Sequence, residues 1–188
     1  MIPPLEAHYE LLVRWNKKIN LTTVVDRAEA EQRHYGEGLL LAENIPPGMH
    51  TVLDVGSGAG FPGAVIAAAR PDLRVTLLEG DQRKAAFLRT AAREMGLAGV
   101  EILTARIEDL PPLKADILSA RALAPLDGLL GFCALHMKED GIGLFPKGQN
   151  HRTEIDQALE NWRFSYEALP SATADDAVVL TVRNIERA

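Results

Sequence analysis

The segment LDVGSGAGFPG, residues 53–63, decides how this chain folds. A short run broken only by one carboxylate, Thr51–Val55, leads directly into four glycines and a proline. The run reads as a strand, and the glycines after it read as a turn with a bare main chain. Gly56, Gly58 and Gly60 alternate at two-residue intervals. Without Cβ atoms they let the chain reverse sharply and let a ligand approach the backbone. Pro62 suits the first turn of a helix, where its missing N–H costs little. The segment therefore predicts strand, ligand loop and helix in that order.

Beyond Gly48 the same alternation repeats. Thr51–Val55, Arg74–Leu78, Gly99–Leu103, Ala115–Leu118 and Gly141–Phe145 read as strands. Pro62–Ala69, Gln82–Met95 and Pro125–Met137 read as the helices between them. Alternation at this spacing predicts an α/β fold, a doubly wound, mostly parallel sheet with right-handed crossovers. A helix over His151–Asn161 precedes Trp162–Leu169 and Ala177–Val182, β-rich runs joined by SATADD. These predict an antiparallel hairpin at the sheet edge.

Ahead of Gly48 the chain reads as helical. Leu5, Tyr9, Leu12 and Ile19 fall near helical spacing with Trp15 beside them. Asp26 with Glu29 resembles a capping box that starts a second helix at Arg27. IPPG at Ile45–Gly48 punctuates the chain, dividing it into a helical cap over 1–48 and a sheet domain over 49–188.

With 188 residues, 47% hydrophobic and 24% charged, the composition is that of a soluble globular protein of one domain and a small addition. The single Cys133 lies in apolar GFCAL, a setting for a buried inert thiol rather than a nucleophile. No signal segment and no apolar run near the roughly 18 residues of a spanning helix is present, so the cytoplasm is the expected compartment and no membrane partner is expected. A net charge of −6 argues against a general polyanion binder. Any nucleic-acid contact must rely on local basic patches. A monomer without bound metal is expected.

Ligands of open α/β sheets bind at the carboxyl ends of the strands, near the point where strand order reverses. Gly58-x-Gly60-x-x-Gly63 satisfies the dinucleotide fingerprint literally, and a tight structural turn is the plainer alternative. Three features favour S-adenosylmethionine. Asp54 stands where it can face the ligand's ammonium group. Glu79, at the end of the second strand, suits the ribose hydroxyls, although it would suit NAD equally. The glycines run Asp-x-Gly-x-Gly-x-Gly, and nothing elsewhere resembles a hydride-transfer site. In TARIEDLPP, Ile107 and Glu108 come beside the adenine after the third strand, though Glu108 as a simple cap is an equal alternative.

WNKKINLT (Trp15–Thr22), DVGSGAGFPG (Asp54–Gly63), KAAFL (Lys84–Leu88) and SARA (Ser119–Ala122) occur in an order and spacing that span nearly the whole chain. In these strings the sequence resembles the RsmG family, also called GidB. Its members are bacterial enzymes that methylate N7 of one guanine in small-subunit ribosomal RNA. The resemblance implies a class I, Rossmann-like S-adenosylmethionine-dependent methyltransferase with 16S ribosomal RNA or the small subunit as partner. It implies Gly56 and Phe61 as cofactor contacts and Ile107 with Glu108 at the adenine. It implies Arg121 at the cofactor and active-site cleft, and it pairs Lys147-Gly148 with a family Lys-Gly after the fifth strand. HYGEGLLL (His34–Leu41) departs from the family, lacking the Asp-Ser-Leu that comes after this His.

Guanine N7 carries an in-plane lone pair and no proton, so its methylation needs positioning rather than a general base. The chain lacks the Asn/Asp-Pro-Pro-aromatic segment of amine methylation after the fourth strand. Arg121, the catalytic candidate, has two functional readings, pairing with the cofactor carboxylate or gripping RNA phosphate or base, and a surface ion pair is the plainer alternative. Lys17 and Lys18 beside Trp15, Arg89 and Arg93 on one helix face, and Lys147 are the candidates for RNA contact. A solvated helix face is the alternative for both helical clusters, and core packing for Trp15. The rival functions are a nicotinamide-dependent oxidoreductase and a non-catalytic ribosome-binding module.

Overall fold

The computed structural model describes residues 1–188 apart from Ala172 and Asp175. The strands are β1 (Thr51–Val55), β2 (Arg74–Leu78), β3 (Val100–Leu103), β4 (Ala115–Ser119), β5 (Met137–Lys147), β6 (Trp162–Pro170) and β7 (Val178–Arg187). The α-helices are α1 (Pro3–Asn16), α2 (Arg27–Ala30), α3 (Glu37–Glu43), α4 (Gly63–Ala69), α5 (Gln82–Glu94), α6 (Leu126–His136) and α7 (His151–Asn161). One sheet runs β3-β2-β1-β4-β5-β7-β6. The first five strands pair in parallel, and β7 pairs antiparallel with both β5 and β6. The order reverses between β1 and β4, the switch point where the glycine loop emerges. The edge hairpin expected from the sequence is β6–β7; of its SATADD connection, Ala172 and Asp175 lie outside the described residues.

Strand β1 is central, so covered on both faces that four of its five residues are buried. Helix α5 starts where Asp81 accepts from the Arg83 and Lys84 amides at 2.8 and 3.1 Å; a carboxylate there satisfies N–H groups that have no partner within the helix. Asp26 caps α2 in the same way through Glu29 N at 2.9 Å. The helix expected from Arg27 continues through a wide π-helical turn, Glu31–Gly36, into α3.

Strand β5 begins at Met137, earlier than the expected Gly141. Met137 pairs with Ala115, and pairing resumes only at Ile117 with Ile142, so the residues between form an irregularity. Of its charges, Lys138 is met locally: Nζ donates to Asp116 at 2.5 Å, and the same carboxylate accepts from the amides of His50 and Thr51, while Glu139 and Asp140 are exposed.

The N-terminal helices belong to the core on one face of the sheet. Leu5, Leu11, Leu12, Tyr35 and Leu41 pack in one cluster with Val65, Leu77 and Phe87. On the opposite face, Leu126, Leu130, Cys133 and Trp162 pack with Leu118 and Phe145. Cys133 is buried, and burial pushes its thiol far above its ordinary range.

Candidate active site

The glycine loop is held from three sides. Gly56, Gly58 and Gly60 adopt φ of 68°, 55° and 90°, a region open to glycine at little cost. From β2, Glu79 accepts from the Gly58 amide (2.8 Å) and the Asp81 amide (2.8 Å), so one carboxylate ties the loop to the start of α5. From below, Gly63 lies against Asp54 and Leu77; a Cβ on it would stand 2.5 Å from Leu77 Cδ2 and 2.6 Å from Asp54 Cβ. From α1, His8 Nε2 donates to the Ala59 carbonyl at 2.8 Å, and the Tyr35 hydroxyl meets His8 Nδ1 at 2.7 Å. Burial pulls the His8 imidazole down to about 4, so it is neutral near pH 7.

A cavity of about 300 Å³ opens beside this loop, lined among others by Gly56, Glu79, Ile107, Glu108, Leu123 and Phe132. Four of the sequence candidates, Gly56, Glu79, Ile107 and Glu108, thus meet at one place. Glu108 is exposed and lies 3.5 Å from Arg106. Gly58 presents the open side of the loop, for a Cβ there would find no atom nearer than 3.8 Å. The other loop candidates lie behind it. Gly60 faces Ala64 and His8. Phe61 stacks on His34 at 4.4 Å between centroids and is edge-on to His8 and Tyr35. Asp54 is 0% exposed. Its Oδ1 accepts from Ser119 Oγ at 2.6 Å, whereas Oδ2 has no hydrogen-bond partner among the described residues. Burial pushes this carboxyl up to about 6, against the Ser119 hydrogen bond.

Arg121 belongs to a second, adjoining cavity of about 490 Å³, whose lining includes Glu37, Arg121, Lys147 and Gly148. Leu123 and Ala124 line both cavities. Leu123 also covers Gly56: its Cδ1 lies 2.8 Å from where a Gly56 Cβ would be.

The guanidinium of Arg121 is fixed by the N-terminal helices. Its Nη1 donates to His34 Nδ1 at 2.6 Å, and its Nε lies 3.1 Å from Glu37 Oε2. Because Arg only donates, His34 Nδ1 accepts, and Nε2–H donates to Thr22 Oγ1 at 2.9 Å. Burial and the Arg121 charge lower the His34 imidazole to about 4. Thr22 is set by Asn16, whose side chain accepts from the Leu21 and Thr22 amides and donates to the Thr22 carbonyl. The string WNKKINLT is therefore a turn that reaches Arg121 through two side chains. HYGEGLLL supplies His34 and Glu37, so the segment that departs from the family pattern does contact the site. Burial pushes the Glu37 carboxyl up, opposed by Arg121, Arg33 and Ser171.

The RNA candidates separate. Lys147 is drawn inward, its side chain 9% exposed, donating to Glu154 at 2.6 Å and to the Ala124 carbonyl at 3.1 Å. Glu154 also accepts from the Leu126 amide at the start of α6. Lys17, Lys18, Arg89 and Arg93 are exposed on α5 and at the end of α1. Between those helices runs a groove lined by Trp15, Ile19 and Ala86 together with Arg14, Lys18 and Arg83. Arg89 donates to Thr104 at 2.6 Å, and Arg14 pairs with Glu94.

Sequence reasoning gave no role to Glu37, His34, Thr22 or Leu123. The only signal for the first three was the quoted strings themselves; Leu123 left none.

A family model described as "GidB: rRNA small subunit methyltransferase G" matches residues 1–178. The chain is 44% identical over 182 residues to a "Ribosomal RNA small subunit methyltransferase G" of Ruegeria sp., covering 95% of this chain and 88% of that one. It is 45% identical over 183 residues to the protein of the same name from Gluconobacter oxydans, covering 97% and 93%. Among solved structures, a ribosomal protein L11 methylase from Lactobacillus delbrueckii subsp. bulgaricus superposes with a TM-score of 0.63 at 22% identity over 80% of this chain and 76% of that one. A SAM-dependent methyltransferase from Aquifex aeolicus gives 0.60 at 20% identity over 84% and 92%. These two likenesses establish a Rossmann-like class I fold. Neither the oxidoreductase nor the non-catalytic module finds support in these relationships.

Proposed function

The chain belongs to the GidB family of rRNA small subunit methyltransferases, S-adenosylmethionine-dependent enzymes of 16S ribosomal RNA, and from that premise we propose that it transfers the methyl group to N7 of one guanine. The observation that carries this reading is the pair of adjoining cavities. One offers acceptors and apolar walls to a nucleoside; the other offers Arg121 and Glu37 to a base; Leu123 and Ala124 are common to both.

The residues suit the donor. Asp54 carries a buried, unpartnered carboxylate oxygen beneath the loop, which favours a cation above it. Each Glu79 oxygen accepts one amide and keeps capacity for a ribose hydroxyl. Gly58 leaves its backbone open, Gly56 lies on the cavity wall, and Gly60 and Phe61 act by shaping the loop from behind. Ile107 would cover the adenine, with Glu108 near its amine. When bound, the donor supplies an electrophilic methyl on a positively charged sulfur.

The chain's own groups orient the acceptor. The N7 lone pair forms the new N–C bond as the C–S bond breaks, its electron pair leaving with sulfur. No proton moves, so no base is needed. Arg121, with one N–H committed to His34, keeps others for base or phosphate. Holding both reactants in line is worth about 7–11 kcal/mol in well-oriented reactions. We read residues 1–48 as a cap that serves this purpose by fixing the glycine loop through His8 and Arg121 through His34. The exposed Lys17, Lys18, Arg89 and Arg93 would meet phosphates, while Lys147 acts from inside by holding the Ala124 loop.

The test is methylation of purified small subunits and of naked 16S RNA with labelled donor, and then cleavage at 7-methylguanosine. One N7 site is expected, with R121A slower by about 100-fold or more and donor affinity little changed. A product at another atom, or undiminished turnover in R121A, would overturn the proposal.

A further inference from the structure

Glu37 is an unusual group to find in an RNA-binding cavity. Its side chain is 7% exposed and lines the cavity that also holds Arg121. Its Oε2 has no hydrogen-bond partner among the described residues; Arg121 Nε, 3.1 Å away, makes an ion-pair contact without hydrogen-bond geometry. A buried carboxylate oxygen without an N–H partner is costly unless a ligand supplies one. An anion at this spot would repel RNA phosphate, so its natural partner is a base edge rich in donors.

We propose that Glu37 selects the target base by accepting from the Watson–Crick edge of guanine. The inference rests on the guanine-methyltransferase reading above and names the residue that reads the base. Guanine presents two adjacent donors there, N1–H and the N2 amine, and a carboxylate accepts both at once. Adenine presents a lone pair at N1, which would face the carboxylate and be repelled. Cytosine and uracil lack the paired donors. Arg121 beside Glu37 offsets the buried charge and has N–H groups for O6, the acceptor next to N1. Held by this edge, guanine keeps its opposite edge, which carries N7, free for the wall that the two cavities have in common. The same contact therefore selects the base and turns the reacting atom outward. Glu154, the other carboxylate lining the cavity, is engaged through Oε2 by Lys147 and the Leu126 amide, leaving Glu37 as the group suited to two N–H donors.

The experiment uses the full protein with S-adenosylmethionine and two small-subunit RNAs that differ only in guanosine or inosine at the methylated position. Inosine keeps N7, O6 and N1–H but lacks the N2 amine. The wild type is expected to favour guanosine in kcat/KM by roughly 10-fold to 100-fold. E37Q places an amide N–H against the base donors and is expected to lose most of that ratio besides being slower. A residue that only steadied Arg121 would slow both RNAs equally. An unchanged guanosine-to-inosine ratio in E37Q overturns the proposal, as does a wild type indifferent to inosine. Should E37Q fail to fold, E37D keeps the charge one methylene further back and is judged by the same ratio, expected to fall; an unchanged ratio overturns the proposal. Failure of the guanine-methyltransferase reading looks different: the wild type would leave N7 of the guanosine RNA unmethylated.

Discussion

Replacing Asp54 by Asn tests whether the loop is built over a carboxylate that the fold itself disfavours. Asp54 is wholly buried, and its carboxyl rises from an ordinary 3.8 to about 6, chiefly through burial. The folded protein thus binds this proton more tightly than the unfolded chain does. The linked stability is present at low pH and is lost as pH climbs from about 4 through about 6. At about 1.4 kcal/mol per pH unit, the charged side chain costs the fold on the order of 3 kcal/mol above that window. D54N removes the titration, keeps an acceptor for Ser119, and puts an N–H where Oδ2 has no partner. That unmet donor costs about 1–3 kcal/mol at every pH. The variant should therefore be the less stable protein near pH 4 and should draw level with the wild type, or pass it, near pH 8. Urea unfolding of both proteins at several pH values measures the gap, and other titrating groups cancel in the difference. Calorimetry at pH 8 should also show weaker donor binding in D54N. A stability gap constant with pH to within about 1 kcal/mol would refute the reasoning.

Two glycines separate binding from folding. Gly58→Ala meets open space at φ 55° and should cost only about 1–2 kcal/mol while weakening donor binding, so full affinity by calorimetry would count against it. Gly63→Ala drives a Cβ into Leu77 and Asp54 and should lower stability by about 1–3 kcal/mol, with a wild-type melting curve as the adverse result. Lys147→Met leaves Glu154 without its buried partner and releases the Ala124 carbonyl. A loss of about 3 kcal/mol and slower turnover are expected, and unchanged denaturant midpoints would remove Lys147 from the loop's support. Thr22→Val deletes the hydroxyl that accepts from His34, which should cost about 1 kcal/mol and lower kcat without altering donor affinity; an unaltered kcat would cut the link from the N-terminal turn to Arg121.

The fold was legible where burial leaves a two-sided apolar signature. β1 and β2 keep the boundaries read from sequence, because β1 is buried but for Thr51 and β2 is exposed only at its first residue, Arg74, so little solvent contact breaks their apolar runs. The start of β5 was hidden because Lys138, Glu139 and Asp140 are exposed charges in an irregularity, and Lys138 is met by Asp116, a partner that spacing along the chain does not reveal. The clustering of the proposed cofactor residues around one cavity was legible for a topological reason. Gly56, Glu79 and Ile107 come after the ends of successive parallel strands, and such ends lie side by side. The second cavity, proposed for the base, was not. Glu37 and His34 arrive from a π-helical turn, and the His34–Arg121 hydrogen bond joins residues 87 positions apart. Asn16 was quoted within a motif, yet its purpose, folding the turn that presents Thr22, appears only when its three hydrogen bonds are seen.

The convergence of so many polar groups on the stretch from Ser119 to Leu126 has a chemical reason. On the proposed function, methyl transfer to a ring nitrogen offers the protein no proton to move, so what it contributes is position, and position requires a rigid loop. Left alone this loop would not be rigid: Ala122 sits at φ 51°, a conformation that disfavours any residue with a Cβ. The strain is overcome by fastenings at both ends. Ser119 is tied to Asp54 and Arg121 to His34, both toward the glycine loop and the N-terminal helices. Ala124 is tied to Lys147, and Leu126 to Glu154. The first pair bonds the proposed base side of the cleft to residues beneath and behind the glycine loop, so the two proposed sides share one support. An N-terminal segment whose Leu5, Leu11 and Leu12 are buried in the core of the sheet is a suitable anchor for that purpose, because it cannot loosen without unpacking the fold.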